Sequence, residues 1–416
     1  LAVFENSKGL KPESLSFIRK VFRNYYREGF PPDTVISCLE KREFGFLSFE
    51  NQMVRHKSFK DLNELRDFMQ DFVPSDAYYS CALYENPADE MERKGWLGAD
   101  LIFDIDVDHI PTPCDKVHDE WTCYNCGFSG KGITPEKCPI CSGEKFEEST
   151  WFCQECMDTA KNETIRLLEV LEKDFGFSNS DMHVYFSGHR GYHIQIESEV
   201  IQSLDAISRK EIVDYVCGIG FNVYFRDYIM KKAGKLSNWH TRIMRRIREF
   251  ISNANEEILE KRIGLKKKIA ATLLKGRDRV LRSLKENLEP WRAVKGVGLR
   301  TWEKIFTYCA QQEFIKIDTV VTVDVHRLVR IANSLHGKTG FKKTELRIIN
   351  IDSFDPFKDA IAFKKGEVTV FVHHAPRFRI FDEIFGPYKN VKVELPTAAA
   401  VLLICKGKAE VQKENV

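Results

Sequence analysis

Two aspartates stand two residues apart in the segment LIFDIDVD, which runs from Leu101 to Asp108. Side chains alternate between faces along a strand, so Leu101, Phe103, Ile105 and Val107 share one face. Asp104 and Asp106, with Asp108, take the other. Like charges side by side on one face repel, which gives a fold no reason to place them there for stability. A divalent cation removes the conflict, and carboxylate oxygens suit Mg²⁺ or Mn²⁺. The bland alternative is a strand end fraying into water; the strong apolar run around the acids argues against it. Alone, the Asp-x-Asp pair is shared by polymerases, nucleases and glycosyltransferases. A second acidic cluster lies in FIKIDTVVTVDVHRLVR, residues 314–330. Asp318 ends a strand-like segment and is the candidate third ligand. Asp324 reads as the N-cap of a short helix carrying Arg327 and Arg330 on one side. Three carboxylates would hold two metals, the arrangement that stabilises the attacking and leaving oxygens of phosphoryl transfer.

The segment SGHRGYHIQI, from Ser187 to Ile196, supplies the opposite charge. Gly188 and Gly191 permit a tight turn with exposed amides, which favours an anion. Arg190 offers a planar fork for phosphate, and His193 leads the outgoing strand on the face shared with Gln195 and Glu197. A lone strand histidine is usually structural, but the Ser187–His193 cluster is harder to read that way. A further loop, NSLHGKTG (333–340), carries His336 and Lys338; taken alone it reads as a plain turn.

Of the 12 cysteines, six fall in three CxxC pairs: Cys123 with Cys126, Cys138 with Cys141, and Cys153 with Cys156. Cys114 and His118 lie just upstream. Such clustering reads as metal binding in a reducing compartment. Eight potential ligands suffice for two tetrahedral zinc sites. The two gaps between pairs are equal, so spacing leaves the pairing open. CYNCG and CPICSG contain the small residues that let a zinc knuckle turn its amides toward sulfur, which favours Cys123, Cys126, Cys138 and Cys141 as one ribbon. Cys38, Cys81, Cys217, Cys309 and Cys405 are most simply buried small hydrophobes.

These groups need elements to position them. At 416 residues the chain has room for two or three domains. Hydrophobic residues make up 43% and charged residues 30%, which excludes disordered and low-complexity classes. The longest apolar run, Ala398 to Cys405, is far shorter than the ~20 residues of a membrane span. No charged-then-apolar leader opens the chain, so a cytoplasmic, non-membrane protein is expected. Periodicity predicts helices over 10–30, 61–72 and 157–174. It predicts strands over 44–50, 53–59, 99–108, 182–187, 192–197 and 314–324, with more strands in the last hundred residues. Residues 203–310 read as helical. The net charge of +2 hides a partition: residues 226–300 contain 21 Lys/Arg against 8 Asp/Glu, and the rest of the chain is correspondingly acidic. A basic helical stretch of this kind suits a polyanion or is merely a solvated face.

Taken together, FDIDVD, SGHRGYH and IDTVVTVDVHRLVRIANSLHGKTG resemble, in order and approximate spacing, the three motifs of the archaeal and eukaryotic DNA primase small (catalytic) subunit, in its archaeal form. IDSFDPFKDAIAF and the ELPTAAAVLLICKGKAE tail are similar to the family's closing region, so the resemblance covers nearly the whole chain, most weakly 203–310. It implies an α/β (α+β) catalytic domain of mixed or antiparallel sheets flanked by helices, over 1–202 plus 311–416. A zinc-binding insertion would occupy 111–156 and a basic helical subdomain 203–310. By resemblance, Asp104, Asp106 and Asp318 are the catalytic acids holding two Mg²⁺ or Mn²⁺. Ser187, Arg190, His193, Arg330 and His336 contact the nucleotide triphosphate. Cys114, His118, Cys153 and Cys156 form a structural zinc site into which the ribbon is inserted, although His118 could instead be a surface residue. The implied partners are single-stranded DNA template, NTPs or dNTPs, and a large subunit bearing an iron–sulfur cluster. A repair-type primase-polymerase, a metal-dependent nuclease and a non-enzymatic zinc-ribbon module are the alternatives. The first usually lacks the two insertions, the second does not need the basic triphosphate set, and the third leaves the aspartates unexplained.

Overall fold

A computed structural model describes residues 10–114, 116–221, 238–286 and 288–412. The chain divides into two compact units. One takes Leu1–Arg166, Phe177–Lys210 and Ile317–Val416; the other takes Leu167–Gly176 and Glu211–Lys316.

The first unit holds two four-stranded antiparallel sheets. One runs in the order Leu328–Arg330, Asp76–Ser80, Phe44–Leu47, Met53–Lys57. The other runs Thr344–Leu346, Met182–Phe186, Gly191–Ile196, Leu101–Asp106. In the first sheet the predicted 44–59 hairpin forms, with Phe46 opposite Val54. Phe44 and Phe46 are buried and meet Phe59 and Phe68 at ring centroids 5.1 and 4.7 Å apart. The helix Leu62–Phe72 covers that face with Leu65 and Met69. It begins where it does because the Asp61 side chain accepts from the Asn63 and Glu64 amides at 2.8 and 3.0 Å.

A buried polar contact ties the two sheets together. Tyr79 Oη donates to Gln195 Oε1 at 2.9 Å, and Gln195 Nε2 donates to Asp100 at 2.9 Å. Asp100 also pairs with the fully buried Arg42 at 2.8 Å and accepts from Gln202 Nε2 at 2.8 Å. Such a pair overcomes its desolvation cost only with its remaining lone pairs satisfied, as they are here.

A third sheet, Tyr388–Pro396, Glu367–Ala375 and Ala409–Val411, packs against the helix Thr397–Cys405. Residues 398–404 of that helix are buried, so the longest apolar run of the sequence is core. No helix among the described residues is long and apolar enough to cross a membrane.

Three local expectations are corrected. The 314–324 segment is not a strand: Thr319–Val323 is a short helix, capped by the Asp318 side chain accepting from Val320 N at 2.9 Å. Asp324 follows this helix rather than opening another; its carboxylate accepts from His326 N at 2.9 Å, and Leu328–Arg330 is a strand paired to Asp76–Ser80. The β-branched run TVVTV has strand propensity, but a good cap and the burial of Val321 and Thr322 override it. Among the spare cysteines, Cys81 and Cys309 are buried and Cys217 and Cys405 partly so, but Cys38 is exposed, at a left-handed turn position.

The second unit has its own helical core. Ile243, Ile247 and Ile251 recur every fourth residue along Asn238–Asn253, while Arg245 and Arg248 of the same helix are exposed. Trp302, Ile305 and Cys309 of Leu299–Glu313 belong to the same core, as do Leu273 and Val280. Residues 222–237 and 287 of the basic stretch lie outside the described residues.

Candidate active site and metal centres

Alternation along Leu101–Asp106 works as expected: Leu101, Phe103 and Ile105 are buried, and Asp104 and Asp106 face the other way, partly exposed. The neighbouring strand sets Gly191 opposite Asp106 and His193 opposite Asp104. His193 Nε2 is 3.4 Å from Asp104 Oδ1. Gly191 is required for this approach, because a Cβ there would stand 2.3 Å from the Ile105 carbonyl oxygen. The third acid arrives from far along the chain: Asp318 N donates to the Asp104 carbonyl at 2.9 Å. Its carboxylate caps the helix it precedes and lies 3.9 Å from His109 Nε2.

Burial sets the electrostatics of both the acids and the bases here. Burial, then the charges of Asp106 and Asp318, push the Asp104 carboxyl up to about 8, and burial also raises Asp106. Burial, then Arg330, brings Lys343 down to about 7. Among the described residues, the groups of three or more potential ligands already within 4.8 Å of one another are two cysteine sets; the three aspartates do not close to that spacing. Hard divalent cations among them would fit the all-carboxylate donor set.

The two phosphate-type loops pack on each other. Ser187 Oγ accepts from the His189 and Gly191 amides, both at 3.2 Å, and Gly188 takes the positive φ that the turn needs. Thr339 Oγ1 donates to the Gly188 carbonyl at 2.6 Å, and the His189 and His336 rings stack 5.0 Å apart. Arg330 pairs with Asp76 at 2.5 Å and lies 5.1 Å from the Tyr78 ring, while Asp76 also accepts from Gly337 N at 3.0 Å. Burial first, and then nearby cations, hold His189, His193 and His336 well below the usual histidine range, so they are neutral donors and acceptors. His193 Nδ1 is buried and has no hydrogen-bond partner. The planar fork of Arg190 is already engaged within the chain. Its guanidinium is fully buried and donates to Asp119 Oδ2 at 2.7 Å, to the Trp151 carbonyl at 2.9 Å, and to Asp108. A phosphate could reach it only by displacing Asp108, which is half exposed.

The eight cysteine and histidine ligands separate into the two expected sets, Cys114–His118–Cys153–Cys156 and Cys123–Cys126–Cys138–Cys141. Each could hold a metal ion such as zinc. Tetrahedral zinc with Zn–S bonds of ~2.3 Å places sulfurs ~3.8 Å apart. Here Cys114 and Cys156 are 3.5 Å apart, Cys123 and Cys141 3.5 Å, and Cys126 and Cys138 3.6 Å. The ribbon set is framed by the strands Glu120–Cys123, Ser129–Lys131 and Phe146–Ser149. In the other set, Cys153 and Cys156 lie at the start of the helix Gln154–Phe175, and His118 Nδ1 is 2.8 Å from Asp119 Oδ1. A carboxylate on the far nitrogen of a ligating histidine fixes its tautomer and orientation.

Three residues escaped the sequence reading. Asp76 and Lys343 had no local signal, since their partners come from other strands. Asp119 had one: a carboxylate directly after a candidate histidine ligand.

Comparison with known proteins adds a consistent finding. The family described as DNA primase small subunit matches residues 139–348. The chain is 32% identical to the DNA primase small subunit PriS of Cenarchaeum symbiosum, over 95% of this chain and 98% of that protein. It is 35% identical to PriS of Archaeoglobus fulgidus, over 94% and 97% respectively. It is 30% identical to PriS of Nitrosopumilus maritimus, over 95% and 98%.

Proposed function

The chain belongs to the DNA primase small subunit family, and on that premise we propose that it synthesises short primers on single-stranded DNA by template-directed transfer of nucleotides from NTPs or dNTPs. The observation that carries this reading is the strand pairing that sets His193 against Asp104 and brings the Asp318 backbone onto the same residue. Acids and basic loops that are distant in sequence thus share one place.

Asp104, Asp106 and Asp318 would hold two Mg²⁺ or Mn²⁺. Those ions, when bound, activate the primer 3′-hydroxyl and stabilise the departing pyrophosphate. The chain's own groups do the rest. His193 and His336 would present neutral imidazoles to phosphate oxygens. Ser187 shapes the turn that offers backbone amides, and Arg330, fixed by Asp76, supplies a permanent positive charge beside them. Arg190, held by Asp108 and Asp119, would add positive charge beside the triphosphate. Both cysteine sets are closed by four protein ligands, so zinc there would be structural. The large primase subunit, a separate chain bearing an iron–sulfur cluster, is the expected partner. The basic helical stretch would follow nucleic-acid phosphate.

The test is synthesis on single-stranded DNA with labelled nucleotides and Mg²⁺ or Mn²⁺, with and without Asp106→Ala. Metal-dependent products made without a supplied primer, and lost in the variant, are expected. Shortening of the DNA, or unchanged synthesis by a folded Asp106→Ala chain, would overturn the reading.

A further inference from the structure

Asp119 belongs to neither the metal-ligand sets nor the nucleotide set, yet it touches both. Its Oδ1 lies 2.8 Å from His118 Nδ1 and accepts from the Trp151 amide at 2.7 Å. Its Oδ2 accepts from Arg190 Nη1 at 2.7 Å. The other arm of Arg190 donates to Asp108, and the Asp108 amide donates to Asp106 Oδ1 at 2.9 Å. An unbroken run of polar contacts therefore leads from His118 through Asp119, Arg190 and Asp108 to Asp106. Two further contacts support it: Val107 N donates to the Arg190 carbonyl at 3.4 Å, and the Lys116 side chain donates through Nζ to the Asp108 carbonyl at 3.0 Å. Arg190 is fully buried, so its guanidinium is held by these carboxylates rather than by bulk water.

We propose that Asp119 is a positioning residue that couples the Cys114–His118–Cys153–Cys156 metal set to the catalytic carboxylate Asp106 through Arg190. Metal at the first set holds the His118 ring, the ring holds Asp119, and Asp119 holds the guanidinium on which the Asp106–Asp108 turn rests. When the first metal leaves, His118 is free to rotate, and the turn carrying Asp106 loosens with it. A catalytic metal ligand needs its place kept to about 0.5 Å, so modest loosening is enough to matter. The inference rests on reading Asp104 and Asp106 as catalytic metal ligands and the Cys/His set as a zinc site.

The experiment uses the full chain as wild type, Asp119→Asn and Asp108→Asn. It measures zinc per chain, the rate of zinc release to a chelator, Mn²⁺ affinity by titration, and the KM and kcat of synthesis. Asp119→Asn is expected to release one zinc about tenfold faster and to bind Mn²⁺ several-fold more weakly. Asp108→Asn is expected to weaken Mn²⁺ binding while zinc release stays that of wild type. Faster zinc release from Asp119→Asn with wild-type Mn²⁺ affinity and KM would overturn the coupling, leaving Asp119 a support for zinc alone. If Asp119→Asn does not fold, Asp108→Asn decides, and unchanged Mn²⁺ affinity in that variant overturns the proposal. A wild-type chain that holds no zinc or binds no Mn²⁺ overturns the underlying reading and the coupling with it.

Discussion

The aspartate site and the cysteine sets are both built from metal-ligand residues, but they are opposite kinds of object. Each cysteine set has four ligand atoms within 4.8 Å of one another. Thiols packed together share hydrogen bonds, and those bonds, the one with Cys156 first, hold Cys153 below the usual thiol range, so such a set can close before it is filled. The aspartates come from a strand and from a helix cap 214 residues further on. They keep partial exposure and do not close to that spacing. A closed set suits an ion that stays; an open one suits ions that enter and leave with substrate.

That contrast can be broken by experiment. The largest effect should come from Asp104→Asn, which removes a proposed metal ligand together with a carboxyl whose pKa is raised. Activity should fall about a thousandfold or more, while the metal-free chain at pH 8 is no less stable than wild type by thermal melting. The sign follows from linkage. Asp104 is raised from 3.8 to about 8, so between those values the folded state holds a proton that the unfolded state has lost. Its contribution to metal-free stability is therefore lost as pH rises through that window, and Asn removes the dependence. Cys156→Ser should do the reverse, costing several kcal/mol of stability in denaturant unfolding and one zinc per chain. Equal stability losses from the two variants would erase the distinction.

A middle-sized effect is expected in the pH dependence of Mn²⁺ affinity. Because Asp104 must lose its proton to bind, affinity should climb about tenfold per pH unit from 6 toward 8 and then level off; a flat titration would count against the raised carboxyl. The smallest effect tests the second unit. Lys266, Lys267 and Lys268 are exposed at the start of the helix Lys267–Lys275, where the helix dipole disfavours cations. Changing all three to Gln should lower the slope of log affinity for single-stranded DNA against log salt by about 2. An unchanged slope would make this face a solvated one.

What could be read in advance followed the range of the interactions. CxxC pairs and an alternating Asp-x-Asp strand are visible because their geometry is local. The roles of Asp76 and Asp119 were not, since Asp76 meets Arg330 across 254 residues of sequence and Asp119 meets Arg190 across 71. Arg190 shows the limit most clearly. Its place in the glycine turn marks it for phosphate, but the two carboxylates that already hold it are brought there by folding. In TVVTV the composition argued for a strand, and a single side-chain cap at Asp318 settled the matter as helix.

The separation of Asp104 from Asp318 also sets an order in time. At the ribosome's ~5–20 residues per second, roughly 10 to 40 s pass between synthesis of the first acid and of the third. During that interval the intervening helical unit, rich in short-range contacts, can already fold. The cysteine sets, complete by Cys156, can capture their metals early as well. On the proposed reading, competence for chemistry is therefore among the last properties the growing chain acquires, after the cysteine sets and the helical unit are in place.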